Sequence, residues 1–253
     1  MRKVFVVNKK EGETPLERLE IFRAQESKKD KNFQDIKMTY AGRLDPMASG
    51  LLIVLVGEET KNKQKYLNLD KVYKFEVLFG FATDTYDILG KVVNIKKIDI
   101  DRKDLDRKIL ENLNNFVGKF KQSYPLYSSK TVGGKQLFEY ARSGESVELP
   151  ERDVEVYNLK FLKLKKINNK KILENIEYRV GKVKGDFRQK EILKIWRNKL
   201  KIKNEKEFYI GSFEVKCSSG TYVRGIVNSL GVMINIPSLA FSIKRTKIGK
   251  WSS

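Results

Sequence analysis

The sequence predicts an α+β fold, one domain in which a mixed, largely antiparallel sheet is flanked by helices. Three observations carry that expectation. Short β-prone runs recur along the chain, several alternating apolar and polar side chains as half-buried strands do. Between them lie stretches with apolar residues three and four apart, the period of an amphipathic helix. The 253 residues show neither an internal repeat nor a flexible linker, and a composition 40% hydrophobic and 11% aromatic supplies a packed core.

Residues 3–8 read as the opening strand, and the run from Met1 to Val7 is too short for the apolar core of a signal peptide. Thr14 or Pro15 starts a helix over 16–26, with Leu16, Leu19, Ile21 and Phe22 as its apolar positions. Residues 28–37 form a polar connector. The run Leu51-Leu52-Ile53-Val54-Leu55-Val56 is apolar without alternation, the mark of a fully buried segment. A short helix over 60–69 precedes an alternating strand over 72–80, and the turn-rich stretch 81–90 leads into a strand from Lys91. Leu105, Ile109 and Leu113, four apart, predict a helix over 101–115. A further helix over 134–144 ends at Gly144. Residues 154–165 read as strand. In the strongly basic stretch 165–206, Ile192, Ile195, Trp196 and Leu200 share one face of a helix over 188–200. That helix is either packed by its apolar stripe or presented to RNA as a basic grip. A strand from Gly211, a Ser/Gly turn and a helix through Leu230 follow.

Composition narrows the chemistry. There is no histidine and one cysteine, Cys217, which removes zinc sites with the usual nitrogen and sulfur ligands, histidine triads and disulfide frameworks. Acid–base work must fall to carboxylates, Tyr, Lys or Arg. A lone cysteine suits a reducing cytosol, so a cytoplasmic protein is expected. No apolar run approaches the ~20 residues of a membrane-spanning helix, so no membrane partner is expected. The formal net charge is +20, which favours a polyanionic partner, nucleic acid first, although lysine is abundant throughout.

The most informative stretch is Tyr40-Ala41-Gly42-Arg43-Leu44-Asp45-Pro46-Met47-Ala48-Ser49-Gly50, which sets one carboxylate in a small-residue turn beside the apolar run. Asp before Pro also commonly just starts a turn, and spacing alone leaves both readings open. The segment from Gly42 to Gly57-Glu58-Glu59-Thr60-Lys61 closely resembles the catalytic motif of the TruB family of tRNA pseudouridine synthases. Further along, Lys71-Val72-Tyr73-Lys74, the Gly80 to Gly90 loop, Gln122 to Lys130, the 134–144 helix and Cys217-Ser218-Ser219-Gly220-Thr221-Tyr222-Val223-Arg224 resemble the family in the same order. Ile243 to Gly249 is similar to the end of its catalytic domain. The 9–15 element fits a Lys-Pro-x-Gly-x-Thr-Ser pattern loosely, through Lys10, Gly12 and Thr14.

The resemblance implies a pseudouridine-synthase-like fold over 1–253, with a divergent basic insertion at about 165–206 and without the small RNA-binding PUA domain that members commonly carry. It implies Asp45 as nucleophile, at uracil C6 or ribose C1′, with no metal and no cofactor. Arg224 is the matching partner for Asp45, and Tyr73 the matching residue for stacking and proton transfer. Tyr222 lines the pocket, Asp87 orients it, and Lys130, Lys10 and Arg43 are supports facing the RNA. The physical requirement agrees. Full burial raises a carboxyl pKa by about 3–5, enough to neutralise it near pH 7, whereas a guanidinium lowers it by about 1–3. An Asp paired with Arg therefore stays ionised where a lone buried Asp would not. The implied partner is the T-arm stem-loop of tRNA, modified at uridine 55 by a monomer. Tyr40, where the family usually has His, and the basic insertion keep another RNA substrate open. A non-catalytic RNA-binding or RNA-folding protein is the rival of another class.

Overall fold

An unalternating apolar strand must be shielded on both faces, and the run 51–56 is: all six of its residues are buried. It forms most of the third strand of the computed structural model, which describes residues 3–200 and 206–253. Met1 and Arg2 of the expected opening strand, and 201–205 of the basic stretch, lie outside the described residues.

The strands are β1 (Val4–Lys9), β2 (Met38–Ala41), β3 (Ala48–Val56), β4 (Lys71–Phe79), β5 (Phe81–Thr83), β6 (Val92–Ile95), β7 (Gly118–Ser123), β8 (Thr131–Val132), β9 (Lys135–Gln136), β10 (Glu151–Asn168), β11 (Glu207–Cys217), β12 (Ser238–Ile248) and β13 (Trp251–Ser252). The helices are α1 (Pro15–Ser27), α2 (Lys63–Leu67), α3 (Arg102–Leu113), α4 (Leu137–Ser143), α5 (Asn169–Val180), α6 (Gln189–Leu200) and α7 (Val223–Met233).

One sheet runs β1-β3-β12-β4-β11-β10-β7, with β2 also on β3 and β13 on β12. Every pairing is antiparallel except β3 with β12, which sets Ala48 beside Ile243 and Gly50 beside Arg245. This parallel contact brings the loop before β3 against the last long strand. It depends on Gly50, whose φ is +107° and where a Cβ would lie 2.2 Å from the Arg245 carbonyl oxygen.

Alternation along β4 and β11 separates two cores. Phe75, Val77, Phe213 and Val215 face α3 and α7, while Leu78, Phe208 and Ile210 face α5 and α6. Asp101 caps α3, accepting from Asp104 N at 2.8 Å, so that Leu105, Ile109 and Leu113 dock on the sheet. Thr14 and Glu17 close a capping box at α1, which fixes where that helix begins.

Several expectations change. In α1 only Leu19 and Phe22 of the four apolar positions are buried; Leu16 and Ile21 are exposed. The "polar" connector 28–37 delivers Phe33 to the core against Phe5 and Phe22. Residues 135–136 are strand, so the helix ending at Gly144 starts at Leu137. The basic stretch is the end of β10 followed by a helical pair. α5, with its buried Ile172, Ile176 and Val180, was not anticipated: the surrounding run is read as part of a basic stretch, although its apolar positions are four apart. In α6, Ile192, Trp196 and Leu200 are buried and Ile195 is half-buried, so the stripe packs inward. Trp196 lies 5.4 Å from the Phe81 ring.

Candidate active site

Asp45 lies in the connection between β2 and β3. Its own carbonyl accepts from Ala48 N at 3.0 Å, closing the turn that Pro46 favours. Two fully buried cations hold this loop from behind, and both spend their N–H groups on carbonyls. Lys9 Nζ donates to the carbonyls of Lys10, Glu13 and Pro46, and Gly12 N donates to Pro46 O at 2.9 Å. Burial pushes the Lys9 ammonium down to about 8. Arg245 donates to Leu51 O at 2.8 Å and Gly42 O at 2.9 Å. The carboxylate of Asp45 is therefore fixed by its backbone.

Facing it is Arg224, in the first turn of α7 and only 3% exposed. Its Nε donates to Asp45 Oδ2 at 2.8 Å and its Nη2 to Oδ1 at 3.1 Å, a two-pronged pair. The other Nη1 donates to Thr85 O, and Nη2 also reaches Tyr127 O at 3.4 Å. Asp87 Oδ2 stands 3.7 Å from Nε. The paired carboxylates hold the guanidinium protonated against the cost of burial. Asp87 is fully enclosed, and burial pushes its carboxyl up to about 6 despite Arg224 and a 2.7 Å hydrogen bond from Thr85 Oγ1.

The start of α7 is itself clamped. Gln122 Oε1 accepts from Tyr222 N at 2.8 Å while Gln122 Nε2 donates to Tyr222 O at 3.0 Å. The preceding turn needs Gly220, at φ +84°, because a Cβ there would lie 1.9 Å from the Arg152 guanidinium carbon.

The Asp45 loop is a wall shared by two clefts. One, of about 500 Å³, is lined by Tyr73, Tyr222, Tyr124, Lys71, Arg152 and Arg245. The other, of about 480 Å³, is lined by Tyr40, Tyr127, Phe138, Arg142, Phe187 and Arg188. Arg43 crosses between them, donating to Ser129 Oγ and, at 3.3 Å, to the Tyr40 hydroxyl. In the first of these clefts Tyr73 sits on β4 opposite Arg245 on β12, and burial pushes its phenol upward. Tyr222, its phenol also raised by burial, packs edge-on to Tyr124 at 5.6 Å. These rings present an apolar, hydroxyl-bearing surface about the carboxylate, suited to a flat base.

Thus Asp45, Arg224, Asp87, Tyr73, Tyr222 and Arg43 converge. Lys130 is exposed at the rim, its ammonium 5.4 Å from the Tyr124 ring. Lys10 is exposed and lines neither cleft. The buried lysine of that element is Lys9, three residues before Gly12 as in the Lys-Pro-x-Gly pattern, so a register shift of one would have found it. Lys71, buried with its ammonium lowered to about 8, and Arg245 were also missed. Both lie in or beside segments that resemble the family, but nothing in a sequence says that a Lys or Arg will be enclosed. Among the described residues no group of three His, Cys, Asp or Glu is placed to hold a metal ion.

The segment that carries Asp45, Tyr73 and Asp87 lies within one that known proteins share. Residues 28–187 match the TruB family pseudouridylate synthase (N terminal domain). The tRNA pseudouridine synthase B of Ligilactobacillus salivarius is 35% identical over 220 residues, 87% of this chain and 60% of that protein. That of Caldanaerobacter subterraneus is 33% identical over 213 residues, 84% of this chain and 59% of that protein. The chain thus spans about three-fifths of the length of these curated relatives. A crystal structure of a Cbf5-Nop10-Gar1 complex shares the fold, with a TM-score of 0.56 at 18% identity over 99% of this chain and 50% of that one. From the family match, which spans the Asp45 loop and more than half of the chain, the chain belongs to the TruB family of pseudouridylate synthases.

Proposed function

We propose that the chain is a tRNA pseudouridine synthase that isomerises uridine 55 in the T-arm. The observation that carries this reading is the two-pronged Asp45–Arg224 pair, whose Asp45 borders two clefts with aromatic walls. The TruB resemblance and relatives named tRNA pseudouridine synthase B support it. The sheet with all its helices is read as one catalytic domain, acting in the cytoplasm as a monomer without metal or cofactor.

Asp45 is the nucleophile, at uracil C6 or ribose C1′. The N1–C1′ bond breaks, the base turns, and C5 bonds to C1′. The C5 proton then leaves, N1 gains one, and the carboxylate is released, so the reaction is an isomerisation. Arg224 pairs with Asp45 through two hydrogen bonds and aims it. Tyr73 stacks on the extruded base, returning about 1–3 kcal/mol of the unstacking cost, and its phenol oxygen takes the C5 proton as the hydroxyl passes its own proton on to water. Tyr222 and Asp87 shape and orient the pocket, while Lys130 and Arg43 meet the RNA strand.

Tritium release from tRNA labelled at uridine C5 tests the activity. Release by the wild type, lost by about 10³-fold or more in Asp45→Ala, is expected. RNA binding without release would mean an idle binder. Carbodiimide treatment and primer extension locate the product: a stop at position 55 is expected, and a stop elsewhere points to another RNA site. That alternative has Tyr40 in its favour, which stands on the wall of the second cleft where the family usually has His.

A further inference from the structure

Half the charge of the molecule sits in one sixth of its length. Residues 165–206 carry 15 Lys and Arg against 5 Asp and Glu, a net +10 of the chain's +20. A uniform lysine bias would place about a third of that there. Lys165, Lys166 and Arg197 pair with Glu76, Glu207 and Glu177, and two further sets of these cations stand out. One set ties the α5–α6 hairpin to the site. Arg179, buried, pairs with Glu11 at 2.6 Å and donates to Phe241 O at 2.7 Å, and Arg188 pairs with Asp84 at 2.8 Å. The other set has no such work. Lys170, Lys171, Lys182, Lys184, Lys190, Lys194 and Lys199 are exposed, without a carboxylate partner among the described residues. With them stands Tyr178, 70% exposed, with the Lys182 ammonium 3.9 Å from its ring centre. The surface is continuous with the site: Lys182 Cβ lies against Gly12, and the turn carrying Asp186, Phe187 and Arg188 lines a cleft that Asp45 borders.

We propose that the outward face and connecting turn of the α5–α6 hairpin form a second RNA-binding surface, which takes the phosphate backbone beside the target nucleotide. The inference rests on the isomerase reading only for which RNA is bound. An apolar stripe, the buried Arg179 and the half-buried Arg188 fasten the hairpin, so its backbone needs no ordering when its lysines meet the strand. Lys182, Lys184, Lys190 and Lys194 flank the turn whose Asp186, Phe187 and Arg188 line the cleft that Asp45 borders, and they take the phosphates beside the target.

The test replaces those four lysines by Gln and measures tRNA binding across salt concentrations, in the wild type and in Asp45→Ala. Affinity is expected to fall about tenfold or more at 0.1 M salt, and the slope of log Kd against log salt to drop by about 1 for each lysine that had met a phosphate. Turnover at saturating RNA should stay within about twofold, and the four Lys→Arg replacements should restore binding. Unchanged affinity and slope would overturn the proposal. So would a loss of turnover with affinity intact, or a loss of binding to anionic phosphatidylserine vesicles alone. Because binding is read in Asp45→Ala as well, an inactive wild type would refute the isomerase reading without touching this one.

Discussion

Asp45 and Arg224 lie 179 positions apart and meet through two hydrogen bonds, while Asp87 waits 3.7 Å from the same guanidinium. One buried cation is thus shared by two carboxylates in unequal settings. Asp45 is one-third exposed and free to meet a substrate; Asp87 is enclosed, and its proton is held up to about 6. The sign of the linkage follows. A carboxyl raised from 3.8 to about 6 contributes stability that is fully present below about pH 4 and is lost as pH rises through about 6. The size is up to about 3 kcal/mol, and Asp87→Asn, which cannot titrate, should flatten that part of the profile. Urea midpoints between pH 4 and 7 check it; identical profiles for the two proteins would refute it. Tyr73 makes the second residue-scale prediction. Tyr73→Phe removes the hydroxyl proposed to relay the C5 proton, so it should bind RNA as the wild type does but lose turnover by about 10² or more. Retained turnover would remove its proton-transfer role.

At the scale of elements, the site is a meeting of loops, each braced by a strand or helix behind it. The Asp45 loop is held by β1 through Lys9 and by β12 through Arg245; Arg224 is held by Gln122 of β7. A less direct brace comes from Arg188, in the α5–α6 turn with φ +62°. Its guanidinium pairs with Asp84, donates to the Tyr127 hydroxyl at 2.6 Å and stacks 4.2 Å from that ring. The backbone carbonyls of Thr85 and Tyr127, next to or within these partners, both accept from Arg224. Arg188→Ala should therefore slow turnover by about tenfold with little change in RNA affinity, and Arg188→Lys should recover only part, because an ammonium supplies neither fork nor plane. A fall in affinity equal to the fall in turnover would instead make Arg188 a phosphate contact. The sequence showed α6 by its stripe but not α5, and it placed Asp84 and Tyr127 in family-like loops without hinting that an arginine a hundred residues away from the first joins them.

At the scale of the whole molecule, two cores lie on opposite faces of one sheet, and the basic hairpin belongs to the second. Trp196 packs there with Phe81 and its neighbours Leu78, Ile210 and Leu239 of the central strands. Trp196→Ala should cost about 3–5 kcal/mol and shift a single unfolding transition; a separate early transition for the hairpin would show that it folds apart. The amino-acid order by itself determined most strands and helices, because hydrophobic period and caps are local. It also singled out Asp45, Tyr73, Asp87, Tyr222 and Arg224, because the TruB-like motifs are contiguous. Only the tertiary structure decided that Asp45 and Arg224 touch, that Lys9 and not Lys10 is enclosed, and that Arg245, Lys71 and Arg188 surround the site. The parallel β3–β12 contact and the packing of α7 bring together residues about 200 positions apart. Burial of a charge is a property of that arrangement, and no local pattern of residue types encodes it.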